Sequence, residues 1–113
     1  MVFNEQLASK TRPMIERHKG FSEKKMFGGL TYLINGNMCC GVLKDDLIVR
    51  VDPGEYEELL AMPGVRPMDF TGRAIRGFVY VDSRGWSKSA SLKKWVELGV
   101  NYASSLPKKK KTR

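Results

Sequence analysis

The sequence predicts an α+β domain in two layers, an antiparallel sheet with helices on one face. Asn35-Gly36 predicts a two-residue hairpin turn, since both turn positions need a positive φ, which Asn and Gly tolerate best. Residues 77–82, GFVYVD, predict a separate strand. Apolar residues at helical spacing predict a long last helix: Leu92, Trp95, Val96, Gly99, Tyr102, Ala103 and Leu106.

The first helix is predicted over residues 3–18, where apolar residues recur every three or four positions. Asn4 is a suitable N-cap, and Gly20 can take the left-handed conformation that ends a helix. Pro13 conflicts with this pattern, because it removes one backbone hydrogen bond and clashes with the preceding turn. We therefore expect a kink or a break between Lys10 and Pro13.

Three strands are predicted between residues 24 and 51, with a bulge or close backbone approach at Gly28-Gly29. The Asn35-Gly36 turn pairs Leu33 with Met38 and Thr31 with Cys40. This register predicts a core face that is almost wholly apolar, made of Leu33, Met38, Cys40, Val42, Leu47, Val49 and Val51. The opposite face then carries Leu30, Tyr32, Ile34, Cys39, Ile48 and Arg50.

Large apolar groups on the second face suggest a surface for a protein partner or a second copy of the chain. The residues predicted to form it are Leu30, Tyr32, Ile34, Ile48 and Arg50. Three alternatives remain open at this point. The groups can be scattered exposed apolar residues, which are normal, a face covered by a loop, or the floor of a small-molecule site.

The next helix is predicted to begin at Asp52-Pro53, with Asp52 as N-cap, and to stop at Pro63-Gly64. The stretch that follows is polar, and its arginines can bind carboxylates or phosphates. It therefore suggests an anion or partner loop formed by Arg66, Asp69, Thr71, Arg73 and Arg76. The alternative is a structural loop closed by an Asp69–Arg73 ion pair.

The net charge of +8 is concentrated at the C-terminus. Five of the 20 cations fall there, and without them 15 cations face 12 acids, a balance of +3. We therefore divide the chain into a domain over residues 1–107 and a basic tail over 108–113. The tail is either a solvated end or a nucleic-acid contact, and an anionic membrane is disfavoured because no amphipathic anchor accompanies it. Its cations are Lys108, Lys109, Lys110, Lys111 and Arg113.

Catalytic and metal-binding patterns are not evident in this sequence. Cys39 and Cys40 are adjacent in a strand and should point to opposite faces, which disfavours a disulfide or shared metal ligation. His18 is the single histidine, and turn chemistry accounts for Asp45-Asp46. We expect no enzymatic activity and no cofactor. The sequence has neither a secretory signal pattern nor an apolar stretch of membrane-spanning length, so we expect a cytoplasmic protein.

Several blocks in order resemble the N-terminal domain of the TfoX/Sxy competence regulators. They are residues 25–29 (KMFGG), 35–38 (NGNM), 50–51 (RV), 66–73 (RPMDFTGR), 77–79 (GFV), 95–96 (WV) and 106–107 (LP). The resemblance implies the order α-β-β-β-α-β-β-α, with one short strand between Val65 and Ile75. It also implies no catalytic residues.

Those regulators promote transcription together with the cyclic-AMP receptor protein and carry a second, C-terminal domain that this sequence lacks. We therefore expect a non-enzymatic regulatory or interaction domain, linked to transcription as in that family. The alternative is a nucleic-acid-associated protein that binds through its lysine-rich tail.

Overall fold

A computed structural model describes residues 3–26, 28–68 and 77–107. Within these ranges, six strands form one antiparallel sheet in the order β1-β2-β3-β4-β6-β5. The strands are β1 (Phe21–Met26), β2 (Gly29–Ile34), β3 (Asn37–Leu43), β4 (Asp46–Arg50), β5 (Val65–Pro67) and β6 (Phe78–Val81). The helices are α1 (Glu5–Glu16), α2 (Tyr56–Leu60), α3 (Ser83–Trp86) and α4 (Ser89–Ser105).

The predicted fold class is confirmed, with α1 and α4 packed against one face of the sheet. The order of elements has one strand and one short helix more than expected. The three strands predicted between residues 24 and 51 are preceded by a further strand, β1, which pairs with β2 along its whole length and ends with Met26 opposite Gly29. Gly28 has a φ of +83°, so this glycine supports a chain reversal and not a bulge. The alternative, a close backbone approach, is confirmed at Gly29, where a Cβ atom would overlap the carbonyl oxygen of Val42.

Helix α1 begins as predicted, since the Asn4 side chain accepts a hydrogen bond from the Leu7 backbone N–H at 3.0 Å. It runs without interruption through Pro13, so the predicted break does not occur. Pro13 leaves the Ser9 carbonyl without its helical donor, but Ser9 is exposed and water can bond to that oxygen. Gly20 has the expected positive φ, +86°.

The hairpin turn at Asn35-Gly36 is confirmed, with φ values of +54° and +82°. Leu33 pairs with Met38 as predicted, but the register then shifts and Tyr32 pairs with Cys40. Cys39 is the extra residue of a β-bulge on β3. Because side chains alternate between faces, this single insertion reverses the faces of β2 relative to the rest of β3.

The bulge overturns part of the predicted face assignment. Leu30, Tyr32 and Ile34 do not lie on the outer face but are buried in the main core beneath the helices, and Cys39 is buried with them. Tyr32 is 0% exposed, and its hydroxyl donates to the Ala8 carbonyl of α1 at 3.4 Å. The inward positions of Cys40, Val42, Leu47, Val49 and Val51 are confirmed.

Leu33 and Met38, the predicted core residues nearest the turn, were also assigned to the wrong face. Met38 packs in a second cluster on the opposite side of the sheet, and its cross-strand partner Leu33 shares that face. Ile48 belongs to the same second cluster, so its assignment to the outer face was correct. We call the helix-covered side the inner face and the other side the outer face.

The predicted apolar stripe of α4 is confirmed for Leu92, Trp95, Val96, Gly99 and Ala103, which are buried. Tyr102 is only half-buried, Leu106 lies just beyond the helix, and Val100, which was not predicted, is also buried. Gly99 lies where α4 crosses the bulge of β3. A Cβ atom at this position would overlap the carbonyl oxygen of Cys39 and lie 3.1 Å from its carbonyl carbon. The glycine therefore allows helix and sheet backbones to approach closely, which explains its presence inside a helix.

The segment between β4 and β6 follows the prediction in outline. Asp52 accepts a hydrogen bond from the Gly54 N–H at 2.8 Å and caps a 3-10 turn that precedes α2. Strand β5 supplies the short strand that the family resemblance implied after Val65. It pairs with β6 and forms one edge of the sheet.

Candidate interaction surface on the outer face of the sheet

A second apolar cluster lies on the outer face, separate from the main core. We call it the outer surface. At its centre, Ile48 of β4 and Tyr80 of β6 are direct cross-strand partners. Its members are Met38, Leu43, Ile48, Met68, Phe78 and Tyr80. The side-chain alternation of neighbouring antiparallel strands brings these groups together, although they come from three distant parts of the sequence.

The centre of the outer surface is covered and its margin is open. Ile48 and Tyr80 are 6% and 8% exposed, and Met68, just after β5, packs against them. Met38, Leu43 and Phe78 around them are only half-buried. One alternative left open by the sequence was a face covered by a loop. At the centre of the outer surface, Met68, which follows β5, provides such cover.

Arg66 on β5 is fixed at one side of the outer surface. Its guanidinium makes two hydrogen bonds to the Asp46 carboxylate, at 3.3 and 2.6 Å, and lies 5.0 Å from the centre of the Tyr80 ring. The hydrogen bonds with Asp46 raise the pKa of Arg66. The charge of Arg66 is therefore already paired within the protein, with an aspartate that the sequence did not predict as its partner.

Arg50 occupies another side of the outer surface, at the end of β4. Its guanidinium carbon lies 5.4 Å from the centre of the Phe78 ring and 5.7 Å from that of Tyr102 on α4. Such cation–π contacts hold the long side chain in place while leaving it half-exposed. Arg50 was the one charged residue in the predicted interaction face, and its guanidinium lies within reach of both Phe78 of the outer surface and Tyr102 of the helix layer.

A model of the TfoX N-terminal domain family matches residues 14–103. The chain belongs to this family. The match begins inside α1 and ends inside α4, so it contains every strand and every residue of the outer surface of this TfoX N-terminal domain. Comparisons with curated proteins and with solved structures gave no match.

Not all the predicted site residues of this TfoX domain can be located. Within the predicted anion loop, Asp69, Thr71, Arg73 and Arg76 lie outside the described residues, and so does the tail over residues 108–113. These assignments stay predictions. Across the described ranges, no helix is both long and apolar enough to cross a membrane.

The two cysteines of the TfoX domain lie closer together than expected. The bulge places both thiols on the inner side, with their sulfur atoms 3.9 Å apart, so the prediction of opposite faces was wrong. Both are free and buried, and burial raises the pKa of the Cys40 thiol. The hydrogen bond with Cys40 lowers the pKa of the Cys39 thiol, but both sulfur atoms are buried, and a thiol without solvent access is a poor nucleophile and a poor metal ligand.

The paired aspartates have structural contacts. Asp46 binds Arg66 as described, and Asp45 accepts from the Asn4 side chain at 3.2 Å through its carboxylate and from the Trp86 indole N–H at 3.1 Å through its carbonyl. In the part of the chain that the structure describes, no three His, Cys, Asp or Glu side chains are grouped so as to hold a metal ion.

Sequence reasoning missed Met68, Phe78 and Tyr80 as members of the candidate surface. A usable signal was present for two of them, because residues 78–81 alternate aromatic and aliphatic side chains. The two valines point into the main core, and the two aromatic residues point to the outer face. Met68 had no local signal, since its place depends on the long-range pairing of β5 with β6.

Proposed function

We propose that this TfoX N-terminal domain is a non-enzymatic regulatory domain of the cytoplasm that contacts a protein partner through the outer surface. Its family points to a regulatory role associated with competence. The process that it regulates is transcription, as in the competence regulators that the sequence resembles.

The observation that carries this proposal is the composition of the outer surface. Half-exposed Met38, Leu43 and Phe78 surround a packed centre, and Arg50 and Arg66 lie on aromatic rings beside it. Methionine, aromatic residues and arginine are enriched in protein–protein interfaces, whereas lysine and glutamate are depleted. Arginine side chains that are already ordered lose less conformational entropy on binding.

The edges of the sheet are less suitable than its face. Strand β1 exposes Lys24 and Lys25 at one edge, and β5 at the other edge is three residues long and ends at Pro67. Charged, short and proline-containing edge strands discourage pairing with a further strand. These features favour contact through the side chains of the outer surface over addition of a partner strand.

The test is complementation of a gene deletion in the native host, with transcript levels as the readout. The wild-type gene should restore the transcripts that change on deletion. The double variant Met38→Gln/Leu43→Gln should not restore them, because it makes the exposed margin polar. The matched control Glu58→Gln/Ser104→Gln alters exposed positions on helices and should behave as wild type.

Thermal denaturation of each purified variant shows whether it is folded. Two results would overturn the proposal: transcription that does not change on deletion, or full restoration by the folded Met38→Gln/Leu43→Gln variant.

A second candidate function is nucleic-acid binding through the tail, which is favoured by five cations within the last six residues. If all five contact phosphates, the logarithm of the binding constant should fall with the logarithm of salt concentration with a slope of about −3 to −4.5. Truncation after Pro107 should abolish this binding. Equal affinity and slope after truncation would exclude the tail as the contact.

A further inference from the structure

A cleft of about 560 Å³ lies between α1 and α4, on the opposite side of the sheet from the outer surface. Each helix contributes residues at the spacing of one helical face. One side is formed by Lys10, Pro13 and Met14 of α1 with Arg17 and His18 just after its end, and the other by Lys93, Val96, Glu97, Val100 and Asn101 of α4. Eight residues of helix rise about 12 Å, so the cleft follows roughly two turns of α4 and the C-terminal end of α1.

Charge along the cleft is strongly unbalanced. Lys10 and Arg17 on one side and Lys93 on the other face a single acid, Glu97. Among residues 3–26, 28–68 and 77–107, none of these three cations forms an ion pair. Their charges are therefore available to a ligand.

Arg12 of α1 differs from the three cations of the cleft because it forms ion pairs within the protein. Its guanidinium lies 3.4 Å from the Glu16 carboxylate and 3.3 Å from that of Glu23 on β1. It is therefore committed to contacts within the protein, and it does not line the cleft. The acids of this region neutralise Arg12 and leave the cleft cations unmatched.

The floor of the cleft is apolar. Its apolar lining comes from Pro13 and Met14 of α1 and from Val96 and Val100 of α4. The two valines belong to the main core and are 1% and 3% exposed, so Pro13 and Met14 supply most of the apolar surface that a ligand could touch. The floor is therefore a rigid part of the fold. Small-molecule sites typically measure about 300–1,000 Å³ and combine an apolar lining with a few polar groups that orient the ligand.

We propose that the α1–α4 cleft binds a small organic anion with an apolar body and a carboxylate or phosphate head. The apolar body lies on Pro13 and Met14, and the anionic head lies between Lys10 and Arg17 on one side and Lys93 on the other. Cations on both sides favour a negative head group, and an apolar floor favours a ligand that is more than a simple inorganic ion.

The proposal can be tested on the intact protein by nuclear magnetic resonance titration. The carboxylate probe is 4-phenylbutyrate, the phosphate probe is phenyl phosphate, and the neutral control is 4-phenylbutyramide. At least one anionic probe should cause saturable amide shifts centred on Met14, Arg17, Lys93 and Val100, and the neutral amide should bind more weakly. The better anionic probe identifies the preferred head group.

Charge-neutralising variants separate a built site from general attraction to a basic protein. Lys93→Gln should weaken binding about three- to fivefold, the effect of losing one exposed charge pair. Lys94→Gln removes the same charge at the next residue, which does not line the cleft, and should leave the affinity unchanged. Glu97→Gln should strengthen binding, because it removes the one acid of the cleft.

Three results would overturn the proposal: no saturable shift with either anionic probe, equal binding of the neutral amide, or equal effects of Lys93→Gln and Lys94→Gln. Because the cleft and the outer surface lie on opposite sides of the sheet, this test is independent of the proposed protein contact. Failure of one does not imply failure of the other.

Discussion

Replacing Gly99 with alanine gives a test in which helix propensity and packing predict opposite signs. In an exposed helix interior, the change from glycine to alanine stabilises by about 1 kcal/mol. Here the added methyl group would overlap the carbonyl oxygen of Cys39 and lie 3.5 Å from Val49. A backbone carbonyl cannot rotate away as a side chain can, so α4 must shift from the sheet.

We expect an overpacking cost near the upper end of the usual range, about 3 kcal/mol. After subtracting the gain in helix propensity, Gly99→Ala should lower the free energy of unfolding by about 2 kcal/mol. Urea denaturation followed by circular dichroism measures this value, and the midpoint should fall on the order of 1 M.

Ser104→Ala is the matched control, because Ser104 is exposed in the last turn of the same helix. It should leave stability unchanged or raise it by a few tenths of a kcal/mol. Stabilisation of the protein by Gly99→Ala would refute the close approach of α4 to the bulge.

Three further predictions concern the inner face. Ile34→Asp should unfold the protein in circular dichroism, because an unpaired charge at this buried site costs more than about 4 kcal/mol. Burial raises the pKa of Tyr32, so unfolding releases its proton above about pH 10 and the free energy of unfolding should fall there. Tyr32→Phe should reduce that dependence on pH. Cys39 and Cys40 should resist iodoacetamide in native protein and react after denaturation, as mass spectrometry would show.

Features set by neighbouring residues could be predicted from the sequence. The hairpin turn at Asn35-Gly36, the helix caps at Asn4 and Asp52, and the stripe of α4 all follow from residues a few positions apart. Local steric and hydrogen-bonding preferences are strong enough at these positions to decide the conformation. The family resemblance added the short strand β5, which has no strong strand pattern.

The faces of β2 could not be obtained by counting from the turn. Counting residues outward from the turn assumes that β2 and β3 pair without interruption. The bulge at Cys39 shifts the register after the first two residue pairs, so the count fails beyond them. The composition of β2 alone would have favoured the correct face, since Leu30, Tyr32 and Ile34 are together more apolar and larger than Gly29, Thr31 and Leu33. Tertiary packing of large side chains is therefore the better guide near a turn.

The candidate site depends on long-range contacts, which limited its prediction. Arg66 meets Asp46 across 20 residues of sequence, and Met68 reaches Ile48 only because β5 pairs with β6. The α1–α4 cleft likewise joins residues from opposite ends of the chain. The sequence shows how the charged residues are spaced along each helix. It does not show that α1 and α4 pack side by side and so bring these charges to one cleft.

The central claim is that the bulge turns Tyr32 toward the helices and leaves Ile48 and Tyr80 on the outer face. Nuclear Overhauser effects from the Tyr32 ring protons test it most directly. We predict contacts with Ala8 of α1, whose carbonyl accepts the Tyr32 hydroxyl, and with the Phe21 ring, whose centre lies 6.2 Å away. Contacts from Tyr32 to Ile48 or Met68 would contradict the face assignment and the interaction surface derived from it.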